Sequence, residues 1–403
     1  MANVRLSELL GQPAVSEFLR GVVASRRYAN AYLFHGPSGV GMGTAALAFA
    51  RALLCERAAG VRDTGPDLFG GPATTAAAAE GAQLDDACGE CAACLKSAKL
   101  QHPDLKFLFP VSGEERELDE TVQETVAALR EDPWFVFTYE KAASIRLSLT
   151  RELLRELAFQ PFEAPRRVVV VRDADRMRED QYSALLKSIE EPGTTVWILT
   201  TGRPQRLPAT IRSRCQSVHF APIAEPVLMK FLEDKVGLNE REARLLAALS
   251  SGSLGRALTL RDSEPLRTRD QALALLEPAL RGDSVGLWRA AQSFMNYGRT
   301  GRETLKRMIE FHQLWLRDLL RAQTGAERAL LTNRDREADI RRQAERVTPA
   351  EIRRRLFVLE EAVRSIEGNV TADLTVFSVM ARVAGGRLGE GEWPVHPTGR
   401  WDY

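Results

Sequence analysis

The sequence predicts an α/β domain built on a parallel sheet, followed by an all-α half. Three observations carry that expectation. Short runs rich in β-branched and apolar residues at 32–35, 105–109, 167–171, 196–200 and 217–220 are separated by helix-forming stretches. That alternation builds a parallel sheet covered on both faces. The first run leads into a glycine loop, Gly36-Pro37-Ser38-Gly39-Val40-Gly41-Met42-Gly43-Thr44, which opens an Ala- and Leu-rich helix over 43–54. Strand, glycine loop and helix in that order are the phosphate-loop arrangement of ATPases. From about residue 223 onward the strand signals stop.

The glycine loop keeps its shape and lacks its working residues. A functional loop runs G-x-x-x-x-G-K-[ST], with the Lys on the β/γ-phosphates and the hydroxyl on Mg²⁺. Met42 stands at the Lys position and Gly43 at the hydroxyl position. Gly36, Gly39, Gly41 and Thr44 remain, but ATP is not expected to bind productively. A second element is degenerate in the same sense. The apolar strand at 167–171 ends on Arg172 and Asp173, where an active ATPase places an Asp for the metal and then a Glu for the attacking water. A guanidinium has no lone pair to give a metal. Met42, Gly43 and Arg172 together predict a chain that does not hydrolyse ATP by itself.

Two segments interrupt the α/β pattern. Residues 58–83 are rich in Gly, Ala and Thr without periodicity and read as a loop. Residues 111–144 are acidic at first and then carry Trp134, Phe135, Phe137 and Tyr139; the sequence leaves open whether they pack on the domain. Further on, 226–260 reads as a small helical unit and the chain beyond 284 is helical throughout. Leu305, Met308, Ile309, His312, Leu316, Leu319 and Leu320 fall on one helix face, which is read as core. The Gly- and Pro-rich end, 389–403, is expected to fray.

Composition narrows the function. The chain has 403 residues, enough for two to four domains, and 55 Lys and Arg balance 54 Asp and Glu for a net charge of +1. A protein that grips nucleic acid unaided usually shows a basic surplus, so any DNA contact is expected through a larger assembly. No apolar run approaches the roughly 20 residues of a membrane span. The opening Met1-Ala2-Asn3-Val4-Arg5 has no apolar signal region. A cytoplasmic protein with no membrane partner is expected. Of five cysteines, three sit within Cys88-Gly89-Glu90-Cys91-Ala92-Ala93-Cys94. An odd, clustered set suits metal binding in a reducing compartment more than a disulfide frame. Each C-x₂-C step can place two thiolates around one tetrahedral ion, and Cys55 would complete a closed, structural zinc site. Free thiols, with Cys55 buried at a helix end, are the alternative.

Several segments resemble bacterial DNA polymerase III clamp-loader subunits of the AAA+ class, the delta-prime family above all. They are Arg172 to Met177, Ala184-Leu185-Leu186-Lys187-Ser188-Ile189-Glu190-Glu191-Pro192, Thr200 to Pro204, and Leu207 to Cys215. Gly11-Gln12, Asn30 to Phe34, His102-Pro103-Asp104, Gln160-Pro161-Phe162-Glu163, Trp315 to Leu320 and Asn333-Arg334-Asp335 extend the likeness. The resemblance implies an AAA+ domain over 1–222 with a zinc module at 55–94, a helical lid over 223–283 and a helical collar over 284–388.

It further implies a pentameric ring with gamma/tau and delta subunits, which loads a sliding clamp on primed DNA. Ser213-Arg214-Cys215 matches the motif that gives an arginine finger to a neighbour's ATP, so the resemblance casts Arg214 in that role. Gly252 to Leu258 resembles the second sensor, carrying Arg256, although Ser253 reads equally well as a helix cap. The family also carries a zinc module at the cysteines, although the gap from Cys55 to Cys88 is longer here than is usual. Cys215 itself is expected to be a small buried residue, and His102 to make a structural hydrogen bond. The other classes in play are an active clamp-loader ATPase and a zinc-dependent nucleic-acid-binding protein.

Overall fold

The computed structural model describes residues 4–59, 84–112, 118–132, 135–137, 143–261, 264–281, 283, 285–286, 289, 300–367 and 372–383. Most of the segment read as a loop at 58–83, the residues Trp134 and Tyr139, and the tail at 389–403 lie outside them.

All five expected strands form. They are β1 (Ala31–His35), β2 (Leu105–Leu108), β3 (Arg167–Val171), β4 (Thr195–Thr201) and β5 (Gln216–His219). They make one sheet in the order β2-β3-β4-β1-β5, and every pairing is parallel. Alternation along the strands divides the core into two layers. Tyr32, Phe34, Val168, Val170, Val196, Ile198 and Val218 face α1 (Pro13–Ser25) and α2 (Met42–Leu54). Leu33, Val169, Val171, Trp197 and Leu199 face the opposite layer. Short helices α3 (Glu56–Ala59) and α4 (Ala92–Ala98) follow α2. Next come α5 (Leu118–Glu131), α6 (Leu147–Glu156), α7 (Glu179–Glu190) and α8 (Ala209–Arg212), of which α6, α7 and α8 supply Leu153, Leu185, Ile189 and Ile211 to the second layer. The glycine loop after the inner strand β1 thus sits at the carboxyl end of the strands, where α/β sheets bind ligands.

The described residues of 111–144 pack on the domain. Backbone bonds between Val111 and Ser144 close the base of the segment at 3.1 and 3.2 Å, and Val122, Val126 and Phe137 pack on Phe109, Val111 and Leu118.

Two resembling motifs turn out to be halves of one clamp. The Asp104 carboxylate accepts backbone bonds from Phe162, Glu163 and Ala164 at 2.7, 2.8 and 2.9 Å. Buried Arg167 donates to the carbonyls of Glu156, Phe159 and Gln160 in the same loop. Burial alone would raise the Asp104 carboxyl; the three N–H donors outweigh it and hold it below its usual range. His102 Nδ1 accepts from the Asp104 N–H at 3.1 Å, the structural bond expected of it. Gln12 likewise ties the N-terminal segment to Ala221 O at 2.7 Å.

The chain divides into two compact units, Met1–Leu228 with Ser251–Thr259, and Met229–Ser250 with Leu260–Tyr403. Helices α9 (Glu225–Phe231), α10 (Glu240–Leu249) and α11 (Leu254–Arg261) lie along the stretch where the chain passes between them. The second unit also holds α12 (Pro265–Arg281), α13 (Thr300–Gln323), α14 (Glu337–Ala344), α15 (Pro349–Glu367) and α16 (Ala372–Val383). Helix α13 packs on α12, α14 and α15. Its expected stripe is core: Leu305, Met308, Ile309, His312, Leu316 and Leu319 are buried, and Leu320 is half-buried. The Trp315–Leu320 and Asn333–Asp335 motifs meet there. Buried Asp318 accepts the N–H groups of Thr332 and Asn333 at 3.0 and 2.8 Å, and Asp335 is paired with Arg269 at 2.9 Å.

His312 makes this unit acid-sensitive. Its Nε2–H donates to Ala272 O at 2.6 Å, and burial pushes the imidazole down from 6.5 to about 4. The unfolded chain therefore takes up a proton near pH 6.5 that the folded chain refuses until about pH 4. Stability is expected to fall through that window, by about 2 kcal/mol between pH 7 and 5 at about 1.4 kcal/mol per pKa unit. Urea unfolding at the two pH values checks it: His312→Gln should lose less than the parent, and equal losses would contradict the assignment.

Candidate functional site

The two elements read as degenerate meet in space. Gly39 and Gly41 hold positive φ of +81° and +102°, the backbone that turns the chain from β1 into α2. Met42 is only 6% exposed and packs in the layer between the sheet and α2. A thioether fills that place, whereas an ammonium there would carry a buried charge. Gly43 leaves room for Arg172: a Cβ on Gly43 would lie 2.3 Å from Arg172 Nη1. The Arg172 guanidinium stacks on the Phe137 ring, 4.0 Å from its centroid, and pairs with Asp173 at 3.4 Å. The substitutions at 43 and 172 are therefore complementary. The guanidinium stands against the position from which a hydroxyl would hold Mg²⁺, and it brings a fixed positive charge with no coordinating lone pair.

The loop is closed in from two further sides. Gly255 N–H donates to Gly39 O at 3.0 Å, and a Cβ on Gly39 would meet Ser253 Oγ at 2.2 Å. Ser253 Oγ also accepts the Arg256 N–H at 3.1 Å, so the cap reading describes this segment. Gly36 N–H donates to Thr201 O at 3.4 Å, and Ser38 Oγ lies against Gly202. The tip of β4 is itself held, because Asp175 accepts from Thr201 Oγ1 at 2.7 Å and from Arg203 Nε at 2.9 Å. Thr44 is half-buried in the first turn of α2.

Arg214 stands apart from this loop, between α8 and the edge strand β5. Its side chain is 41% exposed, and its Nε pairs with Glu190 at 2.5 Å. Arg214 Nη1 donates to Thr210 O at 3.1 Å. The backbone beneath is fixed by buried Leu207 and Ile211. Burial pushes the Cys215 thiol up to about 12, so this cysteine is an inert packing residue against the core layer. Sequence reasoning named Glu190 and Phe137 only as members of longer segments and missed each as the partner of an arginine. Neither carries a spacing signal, and each is found only through its partner Arg.

The third centre is the cysteine cluster. Cys55, Cys88, Cys91 and Cys94 bring their sulfurs within 4.8 Å of one another. Cys88 and Cys94 are 3.9 Å apart and Cys91 and Cys55 are 4.0 Å apart. A tetrahedral ion with Zn–S bonds of about 2.3 Å sets edges of about 3.8 Å. The N–H groups of Cys88, Cys91 and Cys94 each point at a cluster sulfur at 3.4 Å, the outer-shell bonds that support thiolate ligands. The hydrogen bond from Cys94 drives the Cys55 thiol down, and the same bond, with burial, drives Cys94 up. Burial resists charge on Cys91 as well, so holding all four side chains as thiolates would take a cation among them. Cys55 caps the end of α2, and neighbouring Asp86 accepts the N–H groups of Leu6 and Ser7 at 3.1 and 2.9 Å. The four cysteines can hold a zinc ion and would tie the N-terminal segment to the phosphate-loop helix.

A glycine loop after an inner strand of an all-parallel five-stranded sheet, followed by helices, defines the class as an α/β fold of the phosphate-loop type. Comparison with known proteins narrows it. Residues 73–224 match a family model described as "DNA polymerase III, delta subunit". The chain is 25% identical to the DNA polymerase III subunit delta' of Bacillus subtilis, over 89% of this chain and 92% of that protein. It is 26% identical to the Escherichia coli delta' subunit, over 73% of this chain and 78% of that one. It is also 24% identical to the Bacillus subtilis tau subunit over 64% of this chain, a match spanning only 37% of that protein's length. Among solved structures it is similar to a DNA polymerase III gamma subunit-related protein of Thermotoga maritima, with 16% identity and a TM-score of 0.41 over 92% of this chain and 99% of that one. The chain is thus similar to DNA polymerase III clamp-loader subunits over most of its length. No helix among the described residues is long and apolar enough to cross a membrane.

Proposed function

We propose that this chain is a clamp-loader subunit of the delta-prime kind that does not hydrolyse ATP itself. It scaffolds the loader and gives Arg214 to the ATP site of an adjacent subunit. The observation that carries the reading is the Arg172 guanidinium, placed 2.3 Å from where a Gly43 side chain would begin. The metal position is taken by the chain's own cation, while Arg214 remains 41% exposed at the sheet edge. A rigid planar fork suits contact with a γ-phosphate.

In this reading the AAA+ domain is 1–222, the lid 223–283 and the collar 284–388. The partners are gamma/tau and delta subunits in a pentameric cytoplasmic ring, with the sliding clamp and primed DNA engaged through the assembly. Zinc at Cys55, Cys88, Cys91 and Cys94 is structural. A free-standing nucleic-acid binder is disfavoured by the net charge of +1.

Titrating the isolated chain with a fluorescent ATP analogue and Mg²⁺ tests the reading. Neither micromolar binding nor turnover is expected. Met42→Lys alone should restore neither, because Arg172 still fills the metal position. Mg²⁺-dependent micromolar binding with turnover by the parent chain would establish an active ATPase instead.

A further inference from the structure

We infer that Glu190 is a positioning residue for Arg214; the inference rests on Arg214 acting as a finger in trans. Two of the three guanidinium nitrogens are held by the chain's own atoms, Nε in an ion pair and Nη1 in a hydrogen bond. Nε meets Glu190 Oε1 at 2.5 Å, and Nη1 donates to Thr210 O at 3.1 Å. Among the described residues Nη2 has no hydrogen-bond partner. Both anchors sit on fixed backbone. Glu190 follows buried Ile189 at the end of α7, and Thr210 precedes buried Ile211 in α8. The two helices pack on each other, so the fork is held between two elements of one core layer.

The pair is exposed on both sides, at 41% and 45%, and exposed ion pairs contribute little to stability. Its effect is on geometry: it removes rotamer freedom that a long arginine would otherwise lose on meeting a phosphate. The ligand class is the γ-phosphoryl group of a nucleoside triphosphate held by the neighbouring subunit.

The experiment is DNA-stimulated ATP turnover by the reconstituted loader, with kcat and KM measured separately. Glu190→Ala is expected to lower kcat about three- to tenfold with KM unchanged, a modest misplacement effect. Glu190→Gln keeps an acceptor for Nε and should retain most of the parent's kcat. The double variant Glu190→Ala/Arg214→Ala should be no slower than Arg214→Ala alone. If Arg214→Ala slows turnover while Glu190→Ala matches the parent, the positioning role is wrong and the finger stands. If Glu190→Ala and Glu190→Gln both speed turnover, Glu190 restrains the finger, and the inference is overturned. If Arg214→Ala itself has no effect, the finger reading fails and takes this inference with it.

Discussion

Arg214→Ala in a reconstituted loader is expected to leave assembly intact and cut ATP turnover by at least about tenfold, with the hydrolysis step at the served site slowed by about 10³ or more. The magnitude follows from what a finger does. A guanidinium fixed beside a γ-phosphate stabilises charge that builds only in the transition state, so its loss appears in kcat and hardly in nucleotide binding. In the proposed reading the whole-loader figure is smaller than the single-site figure, because only the site that Arg214 serves loses its finger. Arg214→Lys should recover only part of the rate, since an ammonium keeps the charge and loses the planar fork. Little stability is at stake: the side chain is 41% exposed and its ion pair lies at the surface, a class of pair worth about 0–1 kcal/mol. Unchanged thermal unfolding, unchanged assembly and a collapsed turnover would together identify a group acting on a neighbour. Unchanged turnover would leave Arg214 as an ordinary surface residue.

The parts of this molecule that were legible in its residues are those governed by local pattern. The strands were recoverable because most are short apolar runs next to a turn or helix signal, and an inner parallel strand leaves little else for Val168 to Val171 to do. Met42, Gly43 and Arg172 were each visible as departures from a phosphate site. Their contact was not visible, because nothing in one dimension says that Arg172 fills the room that Gly43 leaves. Phe137 escaped notice as a partner because the sequence leaves open whether its segment packs on the domain, and it matters through the guanidinium stacked on it. Glu190 looked like one more acid beside Glu191. The Asp104 clamp was half-legible: His102-Pro103-Asp104 and Gln160 to Glu163 were recognisable pieces, but their hydrogen bonds join residues about sixty apart in the chain. Long-range polar pairing of this kind leaves no periodic trace.

Removing the metal is expected to have the largest effect on stability. Zinc should be present at about one ion per chain, and chelation or Cys55→Ser should lower the unfolding temperature by about 10 °C. Structural zinc contributes an apparent binding energy of about 10–16 kcal/mol in small peptides that fold only with metal. Here α2 is already anchored by a full core layer, so about 3–5 kcal/mol is expected to reach global stability, at about 2–4 °C per kcal/mol for a domain of this size.

The loss should be directional. Cys55 caps α2, and Asp86, beside the other three ligands, holds Leu6 and Ser7. The N-terminal segment and the end of α2 should therefore gain amide exchange before the sheet does. Acid should mimic the chelator, because metal and protons compete for the same thiolates. Cys215→Ser provides the control: it lies outside the cluster and should leave the zinc content unchanged. Elemental analysis of unstripped protein with scanning calorimetry measures both quantities. Protein purified without chelator that holds no zinc, or that melts identically with and without chelator, would reduce the four sulfurs to packed free thiols.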